Sequence, residues 1–382
     1  MKRITPILLL CLLILAGCKG NAQKENSHPE KTDPSDAKEI NIKYAKGFSV
    51  QDFGTYRLVD VQDPINESTL TYHYALVPKG TKPEGIPDQY TVIETPIERV
   101  VCMTALQMSN FIKLDQTDKI VGINSIRFLF NEKIKQQLKE NKTSRIGIEG
   151  NFDNEVILSI NPDMILVSPF KKGGYDAIMN LGFPLVTFLG YKESSPLGQA
   201  EWIKFTAMFL GIEKQANRQF DEIEKKYNEL KDLAATASPR PKVLSGEMHG
   251  GNWYVVGGES YLAHLFKDAG ADYFLQNDNE SGGFYMDFET VYSQGANADF
   301  WRIINSFDGE FSYQALKQTD PRYADFKAFK EKQVVYCSLR DNPFYENTPV
   351  EPEVVLADLI KAFHPELLPD HTPVYYEVLK RD

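Results

Sequence analysis

One stretch of the chain combines the side chains and the glycines that binding a flat ligand would require. It reads HGGNWYVVGG from His249 to Gly258 and carries Trp253 and Tyr254 between two glycine pairs. Tryptophan and tyrosine offer wide, rigid faces with one polar atom each, which suit a macrocycle or an aromatic chelate. The flanking glycines would let such a ligand come near the backbone. His249 could add either a metal bond or an ordinary hydrogen bond.

The same stretch is also compatible with a strand of the protein core. WYVV is a run of β-forming residues, and successive side chains of a strand point to opposite faces. Only some of these aromatic side chains can therefore reach a ligand, and Trp253 and Tyr254 both stay candidates.

Further candidate binding side chains follow predicted strands elsewhere in the chain. Several are aromatic and several are cationic, although the net charge of the chain is −11. Arginine can bind carboxylate or catecholate oxygens by two-point contact, while each cation taken alone could equally be a solvated surface charge. These candidates are Met103, Thr104, Arg127, Phe128, Lys171, Lys172, Tyr175, Tyr191, Phe284, Tyr285 and Arg340.

The sequence lacks the motifs of the common catalytic sites. It contains no GxSxG, Walker A or HExxH motif, and no GxGxxG after a predicted strand. A site for a bare metal ion would need three or four converging ligands, and of the six histidines only His249 is well placed. Binding of an organic ligand, without a resident cofactor, is the favoured interpretation. A hydrolase and a purely structural surface protein remain as alternatives.

The N-terminus, MKRITPILLLCLLILAGC, has the pattern of a secretory signal. A basic start precedes an apolar run that is too short to span a bilayer. LAGC, which ends at Cys18, has the form of a bacterial lipobox, in which the cysteine is acylated; the alternative is an ordinary signal peptide with a chance cysteine. We predict that residues 1–17 are removed, that Cys18 is lipidated, and that residues 18–39 form a flexible tether.

The charge and the remaining cysteines limit the partners and the covalent links. The acidic chain has no basic block, so nucleic acid and anionic lipid surfaces are poor partners, and contact with the membrane is expected through the lipid anchor only. Cys102 and Cys337 each end an apolar run of β-forming residues. Two buried thiols are therefore expected in preference to a disulfide bond.

The order of apolar segments predicts an α/β protein with two lobes. Residues 40–95 contain short alternating runs, which predict a small antiparallel β appendage. Over residues 96–197, and again over 239–382, short apolar runs alternate with amphipathic segments, which predicts parallel sheets. Between the lobes, residues 198–238 show no strand pattern. Their apolar spacing predicts one helix from Glu213 to Ala235, about 35 Å long, as a rigid connection.

Each predicted lobe also repeats a glutamate at the start of a helix that leads through an aspartate into a strand. Glu155 precedes Asp163 and the run MILV, and Glu289 precedes Asp299 and the run FWRII. Such charges could simply complement the helix N-terminus, an effect of tenths of a kcal/mol to about 1 kcal/mol.

Taken together, these features resemble the periplasmic binding proteins of ABC importers for iron chelates, haem and cobalamin. The resemblance covers about residues 96–368 and rests on the lipobox, the single long helix and the matched runs EVILSINPDMILVS and ETVYSQGANADFWRII. PIERVV, DKIVG and HPE match further, and residues 40–95 with SSPLGQAEWIKF resemble a branch with an additional β element. The implied fold is two Rossmann-like lobes with mostly parallel sheets joined by one backbone helix, the class III type.

The resemblance also implies a function and a set of partners. In that family the ligand lies in the cleft between the lobes, which would place the candidate side chains above on the cleft walls. Glu155 and Glu289 would pair with arginines of an ABC permease dimer in the inner membrane. The implied protein is a monomeric receptor, anchored through Cys18 on the periplasmic side of a bacterial envelope. Its implied ligand is a ferric siderophore or haem, with cobalamin or another corrinoid as the alternative.

Overall fold

The N-terminal part of the protein is a five-stranded sheet. The computed structural model describes residues 38–66, 70–148, 150–169 and 175–380, so residues 1–17 and Cys18 lie outside the described residues. In β2, Phe48 and Val50 are buried while the residue between them is exposed, as the apolar–polar alternation predicts. The strands are β1 (Lys38–Glu39), β2 (Phe48–Asp52), β3 (Arg57–Val61), β4 (Tyr72–Pro78) and β5 (Thr91–Thr95), adjacent in that order.

This sheet differs from the expected antiparallel appendage. β5 pairs with β4 in parallel, because the connection over residues 79–90 brings the chain back before β5 begins. The sheet is also part of the main core, since the ring centroid of Phe48 lies 5.0 Å from that of Trp202 and 5.3 Å from that of Phe205. β1 falls within the last residues of the segment expected to be a tether.

The first lobe contains a parallel sheet covered by helices. Its strands are β6 (Val100–Cys102), β7 (Ile120–Ile123), β8 (Ser144–Arg145), β9 (Gly147–Ile148), β10 (Asn151–Phe152), β11 (Met164–Val167) and β12 (Leu185–Thr187), and its helices are α1 (Ala105–Lys113), α2 (Glu132–Lys139), α3 (Asn154–Ile160) and α4 (Asp176–Met179). The sheet has the order β12-β11-β6-β7-β8, with all pairs parallel. β7 and β11 are buried along their whole length, as expected for strands covered on both faces.

Two helices connect the lobes: α5 (Pro196–Leu210) and α6 (Glu213–Ala234). The hydroxyl of Ser195 caps the start of α5 by accepting a hydrogen bond from the Gly198 N–H, and Gly211 ends it in the left-handed region at φ 68°. The buried residues Ala216, Phe220, Ile223 and Tyr227 of α6 are spaced three or four apart. The long helix that the sequence predicts is therefore confirmed.

The second lobe repeats the architecture of the first. Its strands are β13 (Lys242–Ser245), β14 (Met248–His249), β15 (Asn252–Val256), β16 (Asp272–Tyr273), β17 (Gly283–Met286), β18 (Phe300–Asn305), β19 (Val334–Ser338) and β20 (Glu377–Val378), and its helices are α7 (Tyr261–Asp268), α8 (Phe288–Gly295), α9 (Tyr313–Thr319), α10 (Lys327–Lys330), α11 (Phe344–Asn347) and α12 (Pro352–Phe363). The main sheet has the order β16-β13-β18-β19-β20 and is parallel except at β20. β14, β15 and β17 form a second, antiparallel sheet.

The two lobes meet where α1 of the first lobe packs against α11 of the second, and polar contacts join them there as well. Both carboxylate oxygens of the buried Glu346 in the second lobe accept hydrogen bonds from the first lobe, from the N–H groups of Phe130 at 2.7 Å and Asn131 at 2.9 Å. Lys113 at the end of α1 forms an ion pair of 3.1 Å with Glu351, just before α12. The lobes are thus held together beside the connecting helices.

The cysteine prediction is confirmed. Cys102 and Cys337 are free and buried, and burial raises the pKa of both thiols, which keeps them protonated and unreactive. No helix within the described ranges is long and apolar enough to cross a bilayer.

Candidate ligand-binding site

A cavity of about 570 Å³ lies between the two lobes. Its volume falls within the range of about 300–1,000 Å³ that is usual for small-molecule sites. The first lobe and the connecting segment contribute Leu106 of α1, Tyr191 of the 3₁₀ turn Gly190–Lys192, and Gln199 of α5. The second lobe supplies most of the remaining wall, which is rich in aromatic side chains: Tyr254, Tyr261, Tyr285, Phe344, Tyr345 and Tyr376.

The antiparallel sheet of the second lobe positions two of these tyrosines. Tyr254 of β15 is the direct cross-strand partner of Tyr285 in β17, so both side chains project from the same face. Their ring centroids lie 5.4 Å apart at 64°, an edge-to-face arrangement. The side chains are 45% and 57% exposed, which leaves both rings accessible to a ligand.

The glycines around Trp253 and Tyr254 serve the protein's own packing. A Cβ on Gly257 would lie 1.9 Å from the Glu280 carbonyl oxygen, and one on Gly258 would lie 2.4 Å from that of Asp278. These two glycines therefore admit the protein's own backbone, and the expectation that they admit a ligand is wrong for this pair. Gly250 and Gly251 have φ values of 58° and 90° and form the turn between β14 and β15.

Trp253 faces the core and does not line the cavity. It is fully buried, its indole N–H donates to the Ser245 carbonyl at 3.1 Å, and its ring centroid lies 5.5 Å from that of Trp301. Successive side chains of β15 point to opposite faces of the strand, so Tyr254 must point away from the core that holds Trp253. Tyr254 is therefore the residue of this pair that reaches the cavity.

The cavity wall also carries a guanidinium group and a carboxyl group. The Nε–H of Arg302 donates to the Tyr376 hydroxyl at 2.9 Å, and no carboxylate oxygen of the described residues lies within 4.0 Å of its guanidinium. The Glu247 carboxylate accepts two hydrogen bonds from the Asn305 amide, at 3.1 and 3.2 Å. Burial raises the pKa of the Glu247 carboxyl, opposed by Asn305 and by the charge of Arg302. This wall can bind an anionic group and can also accept hydrogen bonds.

Four of the residues predicted from the sequence meet at this cavity: Tyr191, His249, Tyr254 and Tyr285. Arg302, Glu247 and Tyr376 were missed. The sequence contains one signal for Arg302, which is that this charged residue interrupts the apolar run FWRII. That run alone predicts a strand and does not show that Arg302 faces a cavity. Glu247 and Tyr376 are marked by no comparable signal in the sequence.

The other predicted contacts lie away from the cavity or outside the described residues. Met103 is buried in the core, and Thr104 caps α1. Tyr175 exchanges hydrogen bonds with the Ser168 backbone, and Phe284 packs on the core because it alternates with Tyr285.

The predicted cations make local contacts instead. Arg127 lies over the ring of the neighbouring Phe128 at 4.8 Å, and neither lines the cavity. Arg340 forms an ion pair of 3.2 Å with Asp308. Lys171 and Lys172 lie outside the described residues.

His249 lies on the cavity wall, near Glu247, but belongs to no metal-binding cluster of the described residues. Within residues 38–66, 70–148, 150–169 and 175–380, no three His, Cys, Asp or Glu side chains are arranged to hold a metal ion.

Glu155 and Glu289 occupy matching positions on the outer surface. Each is exposed in the first turn of its helix, α3 or α8. In each case an aspartate two residues earlier caps the helix, with Asp153 accepting from Val156 N–H at 3.0 Å and Asp287 from Thr290 N–H at 2.7 Å. The environments differ in one respect: Arg322 lies 3.9 Å from Glu289.

Known proteins share both the sequence pattern and the fold. A family model described as "Periplasmic binding protein" matches residues 100–339. The uncharacterized lipoprotein MJ0878 of Methanocaldococcus jannaschii is 27% identical in sequence, over 96% of this chain and 94% of its own length.

Solved structures give the same fold. A periplasmic heme binding protein from Pseudomonas aeruginosa has a TM-score of 0.58 and 18% identity, covering 75% of this chain and 99% of that one. The molybdate periplasmic binding protein MolA from Haemophilus influenzae has a TM-score of 0.58 and 17% identity, covering 73% of this chain and 89% of that one. At these identities the likeness shows the shared fold.

Proposed function

The chain belongs to the periplasmic binding protein family, and from that premise we propose that it captures an iron chelate, either a ferric siderophore or haem, and delivers it to an ABC permease. The observation that carries the proposal is the aromatic cavity between the lobes with the Arg302 guanidinium on its wall. Members of this family are substrate-binding proteins, so the open question is the ligand and the manner of its delivery.

The cavity matches an organic chelate better than a bare ion. Six aromatic side chains of the second lobe and Tyr191 give it wide apolar faces, and all of them except Phe344 end in a hydroxyl group. Arg302 can bind a carboxylate or another anionic oxygen pair by two parallel hydrogen bonds. A large flat body with an anionic edge therefore fits both features.

A corrinoid such as cobalamin is the second candidate ligand. Glu247 favours a corrinoid, because this carboxylate on the cavity wall can accept hydrogen bonds from amide groups. A corrin ring carries such amide groups on its side chains. The aromatic walls would serve either macrocycle, so Arg302 and Glu247 are the residues that separate the two candidates.

Delivery would use the two exposed glutamates. Glu155 and Glu289 lie at matching positions of the two lobes, and each carries a negative charge that a basic surface of a permease dimer can recognise. Such exposed pairs steer and orient a partner more than they add affinity. A docked protein would thus be oriented with one lobe on each permease subunit.

Anchoring would use the N-terminus. We assign the lipid to Cys18, and the lipoprotein relative MJ0878, matched over 96% of this chain, supports an extracytoplasmic lipoprotein. A monomer held by its lipid would keep both lobes available to the permease.

Thermal denaturation with a ligand panel tests the assignment. We expect haemin or a ferric siderophore to stabilise the protein, by about 2.7 kcal/mol at a hundredfold excess over the dissociation constant. Replacing Tyr254 and Tyr285 by alanine should abolish the shift, whereas Tyr292→Ala, an exposed tyrosine outside the cavity, should retain it. Stabilisation by none of the chelates or corrinoids would contradict the proposal.

A further inference from the structure

We propose that the N-terminal sheet positions the first-lobe wall of the ligand cavity, by holding the segment from Leu185 to Glu193 that carries Tyr191. The sheet ends before residue 100, where the family match begins, so the family model does not account for it. The inference rests on the proposed function only in taking this cavity as the ligand site. Three attachments within nine residues carry it.

The first attachment is at the edge strand of the first lobe. Among the described residues, β12 is the last strand on its side of the sheet, so one edge of its backbone is not paired with another strand there. The hydroxyl of Tyr74 in β4 accepts a hydrogen bond from the Thr187 N–H at 2.8 Å and donates to the Leu185 carbonyl at 3.3 Å. Tyr74 is buried, so this hydroxyl holds the strand as a neighbouring strand would.

The second attachment is an ion pair directly after Tyr191. Lys192 pairs with Asp63, which follows β3 and is 9% exposed. The other oxygen of Asp63 accepts hydrogen bonds from the N–H groups of Ile65 at 3.0 Å and Asn66 at 3.4 Å, so the carboxylate is itself fixed. Burial, followed by the charge of Asp63, raises the pKa of Tyr191, in keeping with a carboxylate near that ring.

The third attachment is made by Glu193, which is 2% exposed. One of its oxygens accepts hydrogen bonds from the N–H groups of Gly47 at 2.9 Å and Lys46 at 3.0 Å, just before β2, and from the Trp202 indole at 3.0 Å. A buried carboxylate with three donors is costly to release. Gly47 also permits this contact, since a Cβ there would lie 2.7 Å from the Trp202 ring.

Tyr191 lies between these attachments, so its position depends on strands β2, β3 and β4 of another sheet. Thr187 is held on one side of it, and Lys192 and Glu193 on the other. The first lobe contributes few side chains to the cavity, and a shift of this turn would change the width of the site. Asp63 is thus a positioning residue that acts through Lys192 on Tyr191.

Asp63→Asn tests the inference with little other disturbance. It keeps the oxygen that binds Ile65 and Asn66 and removes the charge that binds Lys192. The matched control is Asp60→Asn in the same sheet, because the 2.6 Å hydrogen bond between Asp60 and the His73 ring stays within that sheet. Hydrogen exchange of the ligand-free protein should show the Lys192 and Glu193 amides exchanging about fivefold faster in Asp63→Asn and unchanged in Asp60→Asn.

Ligand affinity provides the second measurement. With haemin, or whichever chelate of the panel binds, Asp63→Asn should weaken binding about fivefold and Asp60→Asn should not. In a Tyr191→Ala background, Asp63→Asn should add less than about a twofold loss, because the residue it positions is gone.

The outcomes separate this inference from the proposed function. If no chelate binds the wild-type protein, the proposed function fails, and the exchange measurement still decides the inference. Unchanged exchange in Asp63→Asn would overturn it. Equal changes in Asp63→Asn and Asp60→Asn would also overturn it, since they would show general loosening of the sheet.

Discussion

The two lobes share a scaffold but build their sides of the cavity differently. In the second lobe, β15, β17 and β18 themselves present Tyr254, Tyr285 and Arg302. In the first lobe, the described residues that reach the cavity are Leu106 at α1 and Tyr191 in the turn after β12, and that turn is attached to a separate sheet. The second lobe therefore supplies most of the cavity wall, while the first lobe closes one side of it.

The shared scaffold is visible in a pair of aspartates. Asp163, before β11, accepts a hydrogen bond from Arg99 N–H at 3.0 Å, and Asp299, before β18, accepts one from Lys242 N–H at 2.7 Å. Each aspartate thereby joins the starts of two adjacent parallel strands. The lobes diverge in what is added to this scaffold, which is a small antiparallel sheet in the second lobe and the contact with the N-terminal sheet in the first. The cavity wall thus combines residues of these additions, such as Tyr254 and Tyr191, with scaffold residues such as Arg302 of β18.

The largest expected effect distinguishes substitutions on the core face of β15, which should lower stability, from those on its cavity face, which should lower ligand affinity. Trp253→Ala should lower the free energy of unfolding by about 3–5 kcal/mol, because it empties a packed aromatic core. Tyr254→Ala should change stability by less than about 1 kcal/mol but weaken ligand binding by about 2 kcal/mol. Urea denaturation and ligand titration of both variants measure the difference. A Trp253→Ala protein that keeps its stability and loses affinity would contradict this orientation of the strand.

The next effect tests whether the second lobe holds the anionic edge of the ligand. Arg302→Gln should weaken haemin binding about 10- to 100-fold, the loss expected when hydrogen bonds to a charged group are removed. Cobalamin, which carries no carboxylate, should lose less. The control is Arg340→Gln, because Arg340 lies outside the cavity and pairs with Asp308. Isothermal titration calorimetry measures the ligand affinity of both variants. Equal losses of affinity in the two variants would show that Arg302 does not bind the ligand.

The smallest effect concerns the outer surface, where the two lobes are most alike. Glu155→Ala combined with Glu289→Ala should lower uptake about tenfold and leave ligand affinity unchanged, because exposed charges mainly steer docking. A double variant of Glu132 and Glu229, two exposed glutamates of α2 and α6, is the matched control. Uptake is measured in cells carrying the complete importer. Normal uptake by the Glu155 and Glu289 variant would end their assignment to docking.

The sequence predicted the scaffold well because the scaffold depends on local patterns. The apolar runs at Ile120–Ile123 and Met164–Val167 became buried parallel strands, and the spacing of Phe220, Ile223 and Tyr227 became one face of α6. These patterns follow from the periods of strands and helices, which need no knowledge of the tertiary fold.

The site was harder to predict because it depends on orientation and on distant segments. Alternation alone could not say whether Trp253 or Tyr254 faces the core, and that choice followed from the packing of Trp301. Arg302 and Tyr376 are far apart in sequence and meet only in the folded second lobe. The parallel pairing of β5 was likewise missed, since strand direction depends on the path of the connection.

The contacts of Glu346 and Lys113 limit how the lobes can move. A rigid-body motion that leaves two separate points in place can only be a rotation about the line through them. While Glu346 holds the Phe130 and Asn131 amides and Lys113 holds Glu351, the lobes retain at most a single angle of rotation, which the packing of α1 on α11 restricts further. Ligand exchange along that angle would widen the cavity without sliding one lobe past the other.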